Sequence, residues 1–274
     1  GLAGRLRHDR AGGGALTGLV RRSAAPTLAA MRAHIFHTGF WALGGTLAIL
    51  CSPILLLPGR APAVAAIGLY AKAFRAWLRV CGVRVEYRGL EHLDGLGPAV
   101  FAAKHQSYGD GLCHLARDKD LAYVIGDHML RFPVVGRYLK KAEAVVVDDA
   151  AGRRAGGAFD DGAARLAADG RSALIFPEGG LTPVGGGRRF RRGAWTLART
   201  LERPVVPVAT NLGCFWPEQQ RVLNPGRAVI EFLEPMAPGD DAKAFTRRLQ
   251  TQVDARTRAL EAEARAAPAD SRTR

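Results

Sequence analysis

Several chemical signatures are missing from this sequence of 274 residues. It has four cysteines, and no two of them have C-x-x-C spacing: Cys51, Cys81, Cys113 and Cys214. This pattern argues against a zinc site and a dense disulfide framework, and it suits a reducing cytosol. There is no P-loop, no His/Cys cluster with metal-ligand spacing and no G-x-S-x-G elbow. The sequence therefore predicts neither a metal site nor a serine hydrolase of the elbow type.

Acidic residues are scarce, with 25 Asp and Glu against 39 Lys and Arg and a formal net charge of +14. Such a charge calls for a polyanionic partner, which can be nucleic acid, an anionic bilayer or a phosphate-bearing substrate. Interleaved aromatic and basic residues and a recognition helix are both absent from the sequence, so we expect no nucleic-acid partner. An anionic membrane surface or a phosphate-bearing substrate remains.

One long apolar run, from Phe40 to Leu57, contains no ionisable group except the thiol of Cys51. As a helix it would reach about 27 Å, close to the roughly 30 Å hydrocarbon core of a bilayer. Pro53 and the glycines at 44 and 45 weaken a straight spanning helix, and basic residues flank both sides. These features favour a hairpin that dips into one leaflet. A buried core hairpin and a secretory signal are the alternatives.

The following segment, 61–83, mixes large apolar residues with Lys72, Arg75 and Arg79, as in an interfacial amphipathic helix. We therefore predict a membrane-associated helical hairpin over residues 35–82. Residues 1–34 are expected to form a basic, disordered arm and residues 267–274 a disordered tail.

Between residues 83 and 266 the pattern alternates between strand and helix, which predicts one α/β domain. Its fold class is a central, mostly parallel or mixed sheet flanked by helices, because continuous apolar strands must be covered on both faces. The predicted strands are Val83–Tyr87, Ala99–Ala103, Leu121–Ile125, Ala144–Val147, Ala173–Phe176, Val205–Ala209 and Ala228–Phe232. A helix over 240–264 should close the domain. Functional residues are expected where strands end.

His105 directly follows a predicted strand, and Asp110 falls where the next helix should begin. On one helix their side chains would lie about 140° apart, but a strand-to-helix turn lets the carboxylate reach an imidazole nitrogen. The other nitrogen would then be free to act as a general base toward a hydroxyl. Backbone N–H groups of the turn, or of the helix start after His105, are candidates for stabilising an oxyanion. The alternative is an ordinary loop histidine.

Three further segments carry candidate binding residues. Glu178 follows another apolar strand, and its carboxylate could bind a substrate hydroxyl, orient a cationic group or lie in a solvent-facing turn, while Gly179 frees the backbone for close approach. Arg188 and Arg189 belong to a run of four arginines, which is either a phosphate grip or a solvated loop. Pro207 interrupts an apolar strand that could line a substrate channel or simply belong to the core.

Four ordered blocks resemble the 1-acylglycerol-3-phosphate O-acyltransferase family within the lysophospholipid acyltransferases: KHQSYGD at 104–110, AVVVDD at 144–149, IFPEGG at 175–180 and VVPVATN at 205–211. The resemblance implies an α/β fold with an N-terminal two-helix membrane module. It implies that His105 is the base and that Asp110, the last residue of an H-x-x-x-x-D motif, orients it. Glu178 and Gly179 would lie in the glycerol-phosphate pocket, and Pro207 near the acyl donor.

The same resemblance implies acyl transfer from acyl-CoA or acyl-carrier protein, as co-substrate without any cofactor, to a membrane lysolipid. The expected product is phosphatidic acid, formed at the inner membrane with the catalytic domain on the cytoplasmic side.

This chain departs from the family pattern at Asp149, Gly180 and Leu181, where two phosphate ligands are usual. Either other arginines (Arg153, Arg154, Arg188 or Arg189) replace them, or the acceptor differs, for example lyso-ornithine lipid. A catalytically inactive lipid-binding relative is the third possibility.

Overall fold

The computed structural model describes residues 24–147, 157–217 and 221–267, with side chains from residue 28 onward. The described strands form one seven-stranded sheet: β1 Val83–Arg88, β2 Val100–Ala103, β3 Ala122–Gly126, β4 Val145–Val147, β5 Ala173–Ile175, β6 Val205–Thr210 and β7 Gly226–Phe232. Their order is β1-β7-β6-β2-β5-β3-β4. All neighbours are parallel except the antiparallel pair β6 and β7. The predicted mixed sheet is confirmed, and each predicted strand lies within two residues of an observed one.

The helices of the described ranges are α1 Ala24–Leu50, α2 Ala61–Val80, α3 Asp110–Arg117, α4 Val135–Lys141, α5 Gly157–Ala168, α6 Gly193–Leu201 and α7 Ala242–Ala266. The predicted closing helix corresponds to α7.

Alternation along the strands divides the core between the two faces of the sheet. In β2, Phe101 and Ala103 join a cluster with Phe74 and Leu78 of α2. Val100 and Ala102 of the same strand join the cluster on the opposite face, which includes residues of α5, α6 and α7. Successive strand residues point to opposite faces, so a strand that is apolar throughout needs helices on both sides. The helices on the two faces thus bury the apolar side chains that the strands present on both sides of the sheet.

The N-terminal helices differ from the expected hairpin in their bounds. The first helix begins at Ala24, so part of the predicted 1–34 arm is helical, whereas residues 1–23 and 268–274 lie outside the described residues. The helix ends at Leu50, and a 3₁₀ turn follows at Ser52–Leu56 with Pro53 in its first positions. The proline has no N–H to continue the helix, so the apolar run is broken. No described helix has the length and apolar character needed to cross a membrane.

Helices α1 and α2 pack on the α/β domain through aromatic rings. Phe36 lies edge-on to Trp216 at 4.9 Å between centroids, and Phe40 does so at 5.2 Å. Phe74 of α2 lies 5.6 Å from Phe40 and 5.7 Å from the same indole. Trp77 donates from Nε1 to the carbonyl of Phe36 at 3.1 Å. This cluster fixes the helix pair beside the turn that follows β2.

Candidate active site

The turn between β2 and α3 folds back around the carboxylate of Asp110. Nδ1 of His105 lies 3.0 Å from Oδ2 of Asp110, as the sequence predicted. The same oxygen accepts the backbone N–H groups of Gln106 at 2.7 Å and Ser107 at 2.8 Å. One oxygen therefore gathers three N–H donors, so both the turn and the imidazole are held by a single anion.

The His105 ring is fixed on one face as well as at one edge. It stacks on Phe176, which follows β5, with 4.0 Å between centroids and 16° between planes. A carboxylate only accepts hydrogen bonds, so in the neutral ring Nδ1 carries the proton and Nε2 has the lone pair. The His105 side chain is 20% exposed, whereas that of Asp110 is 2% exposed. The geometry thus suits a base with a buried orienting group and an open nitrogen.

Four backbone N–H groups of this turn are bonded within the turn itself. Those of Gln106 and Ser107 bond to Asp110, and those of Gly109 and Asp110 bond to the hydroxyl and carbonyl of Ser107. The prediction that these groups await an oxyanion is therefore wrong for these four residues. Ser107 is itself fully buried. Its hydroxyl is not placed as an exposed nucleophile.

Glu178 lies close to the histidine but inside the protein. Its Oε2 accepts the backbone N–H of His105 at 2.8 Å. Its Oε1 accepts the hydroxyl of Thr182 at 2.8 Å and the ammonium of Lys104 at 2.6 Å. The family resemblance implies that this carboxylate lies in the glycerol-phosphate pocket. The structure buries it and occupies both of its oxygens with groups of the chain, and it adds Lys104 and Thr182, which sequence reasoning missed.

Two arginines border the glycine turn after Glu178. Gly179 has φ of +67°, and a β-carbon there would lie 2.8 Å from Cζ of Arg191, while one on Gly180 would overlap the guanidinium of Arg188. Arg188, Arg189 and Arg191 are exposed, and none of them pairs with a carboxylate among the described residues. Arg191 belongs to the same RRFRR segment as Arg188 and Arg189, which are the two arginines of that segment that the sequence predicts as candidate phosphate ligands.

Pro207 sits within β6 rather than at the end of that strand. It is in register with Ala102 of β2, three residues before His105. It is buried, and its carbonyl accepts the N–H of Leu233 at 2.9 Å. Asp149, Arg153 and Arg154, which bear on the acceptor, lie outside the described residues.

A second histidine, His114, lies one turn further along α3 and is buried. Burial, followed by electrostatic interaction with Arg117 and His105, lowers the pKa of His114 to about 3. Its Nδ1 has no hydrogen-bond partner among the described residues. The ring is therefore neutral near pH 7.

The fold and this turn define the class of the protein as an acyltransferase, and residues 84–211 match the family model described as Acyltransferase. The chain is 30% identical over 225 residues to the 1-acyl-sn-glycerol-3-phosphate acyltransferase of Pseudomonas aeruginosa, covering 80% of this chain and 86% of that protein. It is 26% identical over 210 residues to 1-acyl-sn-glycerol-3-phosphate acyltransferase alpha of Mus musculus, covering 74% and 70%. Among solved structures, the 1-acyl-sn-glycerophosphate (LPA) acyltransferase PlsC of Thermotoga maritima shares the fold with a TM-score of 0.63 at 21% identity, covering 89% of this chain and 97% of that one. The chain belongs to the 1-acyl-sn-glycerol-3-phosphate acyltransferase family, as its motifs suggested.

Proposed function

We propose that this enzyme transfers a fatty acyl group from the thioester of acyl-CoA or acyl-carrier protein to the free hydroxyl of 1-acyl-sn-glycerol-3-phosphate, giving phosphatidic acid. The observation that carries the proposal is the His105–Asp110 contact of 3.0 Å, made on a ring that is 20% exposed. Membership of the family supports the same reaction. The reaction needs no cofactor, because the thioester already supplies an activated acyl group.

His105 acts as the base in this mechanism. The acceptor hydroxyl approaches Nε2, which takes its proton while the oxygen attacks the thioester carbonyl carbon. The C–S bond then breaks, and the thiolate leaves and recovers the proton from Nε2, so an ester and a thiol are formed. Asp110 keeps the other nitrogen protonated and stabilises the transient imidazolium. The burial of Ser107 supports direct transfer without an acyl-enzyme.

The acceptor phosphate binds between the arginines that border the glycine turn. Arg188 and Arg191 lie against Gly180 and Gly179, which immediately follow the glutamate bonded to His105. Guanidinium groups bind phosphate oxygens through paired, charge-assisted hydrogen bonds. Together with the neighbouring Arg189 they provide positive charge where the usual family ligands are replaced by Gly180 and Leu181. This supports a phosphate-bearing acceptor over a zwitterionic one.

The enzyme works on the surface of an anionic membrane, on the cytoplasmic side of the inner membrane, with the first two helices docked in one leaflet. Trp41 of α1 is 73% exposed and Leu56 of the following turn is 88% exposed. Phe132 is a further exposed apolar residue, just before α4, and Tyr138 of that helix donates to the carbonyl of Ala48 at 3.3 Å. Apolar side chains around a basic protein suit the interface of an anionic bilayer.

The direct test is His105→Ala in the purified full chain, assayed with labelled acyl-CoA and 1-acyl-sn-glycerol-3-phosphate. We expect the rate of phosphatidic acid formation to fall by about 10²–10⁴ with unchanged thermal stability. His92→Ala is the matched control, because His92 is exposed on a turn before β2. A variant that keeps more than a tenth of the wild-type rate would contradict a base role.

An acceptor panel tests the second half of the proposal. Wild-type enzyme should acylate 1-acyl-sn-glycerol-3-phosphate faster than lyso-ornithine lipid or lysophosphatidylcholine at equal concentration. A preference for lyso-ornithine lipid would overturn the acceptor while leaving the reaction type in place.

A further inference from the structure

A lysine lies buried directly before the proposed base. The Lys104 side chain is 1% exposed, and its Nζ lies 2.6 Å from Oε1 of Glu178 and 2.9 Å from Oδ1 of Asp254. Burial by itself lowers the pKa of this lysine, but hydrogen bonds and charge interactions with Glu178 and then Asp254 outweigh it and raise the pKa above its ordinary value. A buried ammonium is tolerated when it is paired in this way. Lys104 is therefore a buried, charged ammonium that is balanced by the carboxylates of Glu178 and Asp254.

The carboxylate paired with Lys104 holds the main chain of His105. Its Oε2 accepts the His105 N–H at 2.8 Å, and its Oε1 accepts the Thr182 hydroxyl at 2.8 Å. The N–H of Thr182 in turn donates to the carbonyl of His105 at 2.8 Å. Both main-chain polar groups of the histidine are thus fixed by one loop, in a closed ring of hydrogen bonds. The ring plane is fixed separately by Phe176 and Asp110.

Helix α7 anchors the same assembly from the other side. Asp254 also accepts from Gln250 at 3.2 Å, and that amide donates to the carbonyl of Arg188 at 3.0 Å. Two turns further along α7, Glu261 accepts from Gln106 at 2.7 Å. Helix α7 is therefore hydrogen-bonded both to the turn that follows His105 and to the segment that contains Arg188.

We infer that Lys104 and Glu178 form a buried positioning pair, which fixes the main chain of His105 so that its imidazole meets the acceptor hydroxyl, and that Glu178 does not bind substrate. The inference rests on the proposed function. A shift of one ångström at a reacting atom is enough to slow an enzyme by orders of magnitude, so main-chain anchoring is expected to act on kcat. Lys104 serves the pair by balancing the charge of the buried carboxylate.

The test compares two double variants with the same charge. Lys104→Met/Glu178→Gln removes both charges but keeps an amide oxygen that can accept the His105 N–H. Lys104→Met/Glu178→Met removes the charges and the acceptor together. We expect the first to keep kcat within about threefold of wild type and the second to lose at least about tenfold in kcat, with KM for both substrates within about threefold. Lys104→Met alone should be worse than Lys104→Met/Glu178→Gln, because it leaves the buried Glu178 carboxylate without its cation, whereas Glu178→Gln alone still leaves Lys104 paired with Asp254 at 2.9 Å.

The matched control is Arg256→Met/Glu231→Gln, which removes another ion pair between α7 and the sheet, with its two contacts at 2.7 and 2.8 Å. It should leave kcat unchanged. If the two Lys104 double variants are both folded and have equal kcat, the positioning role is wrong. A large rise in KM for the lysolipid in both would instead assign Glu178 to substrate binding and overturn the inference.

A spectroscopic arm separates this inference from the proposed reaction. In protein labelled with ¹⁵N-histidine, the amide signal of His105 is assigned by its loss in His105→Ala. Because this N–H is hydrogen-bonded to Glu178, its proton should resonate downfield. The downfield shift should remain in Lys104→Met/Glu178→Gln and disappear in Lys104→Met/Glu178→Met. Wild-type protein without acyltransferase activity toward any lysophospholipid would defeat the proposed function, whereas an unchanged amide shift in the Met variant would defeat the positioning pair.

Discussion

The ring of Phe74, in the second N-terminal helix, packs directly against Gly109, the residue before Asp110. A β-carbon on Gly109 would lie 3.1 Å from Cζ of Phe74 and 3.2 Å from atoms of Leu212 and Trp216. The turn that carries the proposed catalytic pair is therefore backed by α2, and the absence of a side chain at Gly109 lets the two elements approach. The second N-terminal helix therefore packs behind the turn that carries the proposed catalytic pair.

Replacing Phe74 by alanine should therefore destabilise the whole protein. The ring is fully buried, and such a truncation typically costs about 3–5 kcal/mol in the free energy of unfolding. Chemical denaturation in mild detergent measures it. Leu69→Ala, on the exposed side of the same helix, is the control and should cost less than about 1 kcal/mol. Equal losses in the two variants would show that α2 is not packed on the domain.

Asp110→Asn should lower kcat by about 10²–10⁴ while leaving KM values nearly unchanged. Oδ2 of Asp110 accepts three N–H groups. If the asparagine amide nitrogen took this place, it would face three donors. If the amide oxygen took it, the side chain would carry no negative charge to stabilise the imidazolium. Steady-state kinetics with both substrates measures this. The control is Asp120→Asn, whose exposed carboxylate pairs with Lys119 at 2.8 Å. A loss of less than threefold for Asp110→Asn would remove it from the catalytic pair.

Arg188→Ala and Arg191→Ala should each raise KM for 1-acyl-sn-glycerol-3-phosphate by roughly 10-fold or more, because a hydrogen bond to a charged group contributes about 1.5–3 kcal/mol. Monoacylglycerol, which lacks the phosphate, should be acylated slowly by wild type and at the same rate by the variants. Arg227→Ala, at an exposed site on β7, is the control. Equal losses on both acceptors would show that the arginines do not bind the phosphate.

Trp41→Glu and Leu56→Glu should each weaken binding to anionic vesicles by about tenfold. An apolar side chain of this size contributes about 1.5–3 kcal/mol when it leaves water, and a carboxylate is repelled by the lipid charge. Flotation with vesicles of phosphatidylglycerol and phosphatidylethanolamine measures the partition. Gln252→Glu adds the same charge on the exposed side of α7 and should bind like wild type. If the first two variants float like wild type, these helices do not dock on the bilayer.

The unfolding free energy should fall as the pH is lowered from 7 to 5, in part because of His114. Its pKa is about 3 in the folded protein and 6.5 when unfolded, so the unfolded chain binds more protons between these values. Stability from this group is complete above pH 6.5 and is lost by up to about 1.4 kcal/mol per pH unit below it. His114→Leu should reduce the loss between pH 7 and 5 by about 2 kcal/mol. Denaturation curves at the two pH values measure this, and identical losses in the two proteins would contradict a buried neutral imidazole.

The sequence alone determined most of the scaffold and one contact of the site. Continuous apolar runs specify strands covered on both faces, so seven strands and α7 were predictable. The His105–Asp110 contact was predictable because it is local: a short turn at the end of β2 brings residues five apart together. The first helix was misjudged at its start because Ala-rich, Arg-containing sequence lacks the periodic pattern that identifies a packed face.

Only the tertiary structure decided which buried polar groups hold the main chain of His105. Lys104 meets Glu178 because β2 and β5 are neighbours in the sheet, so their ends and following loops adjoin. It meets Asp254 because α7 packs across that end from 150 residues away in the chain. Strand order and helix docking depend on the packing of many apolar residues at once, and no local pattern records which polar side chain they bury. For the same physical reason Glu178, which the sequence presents as a residue of an open turn, became a fully buried anchor for the main chain of His105.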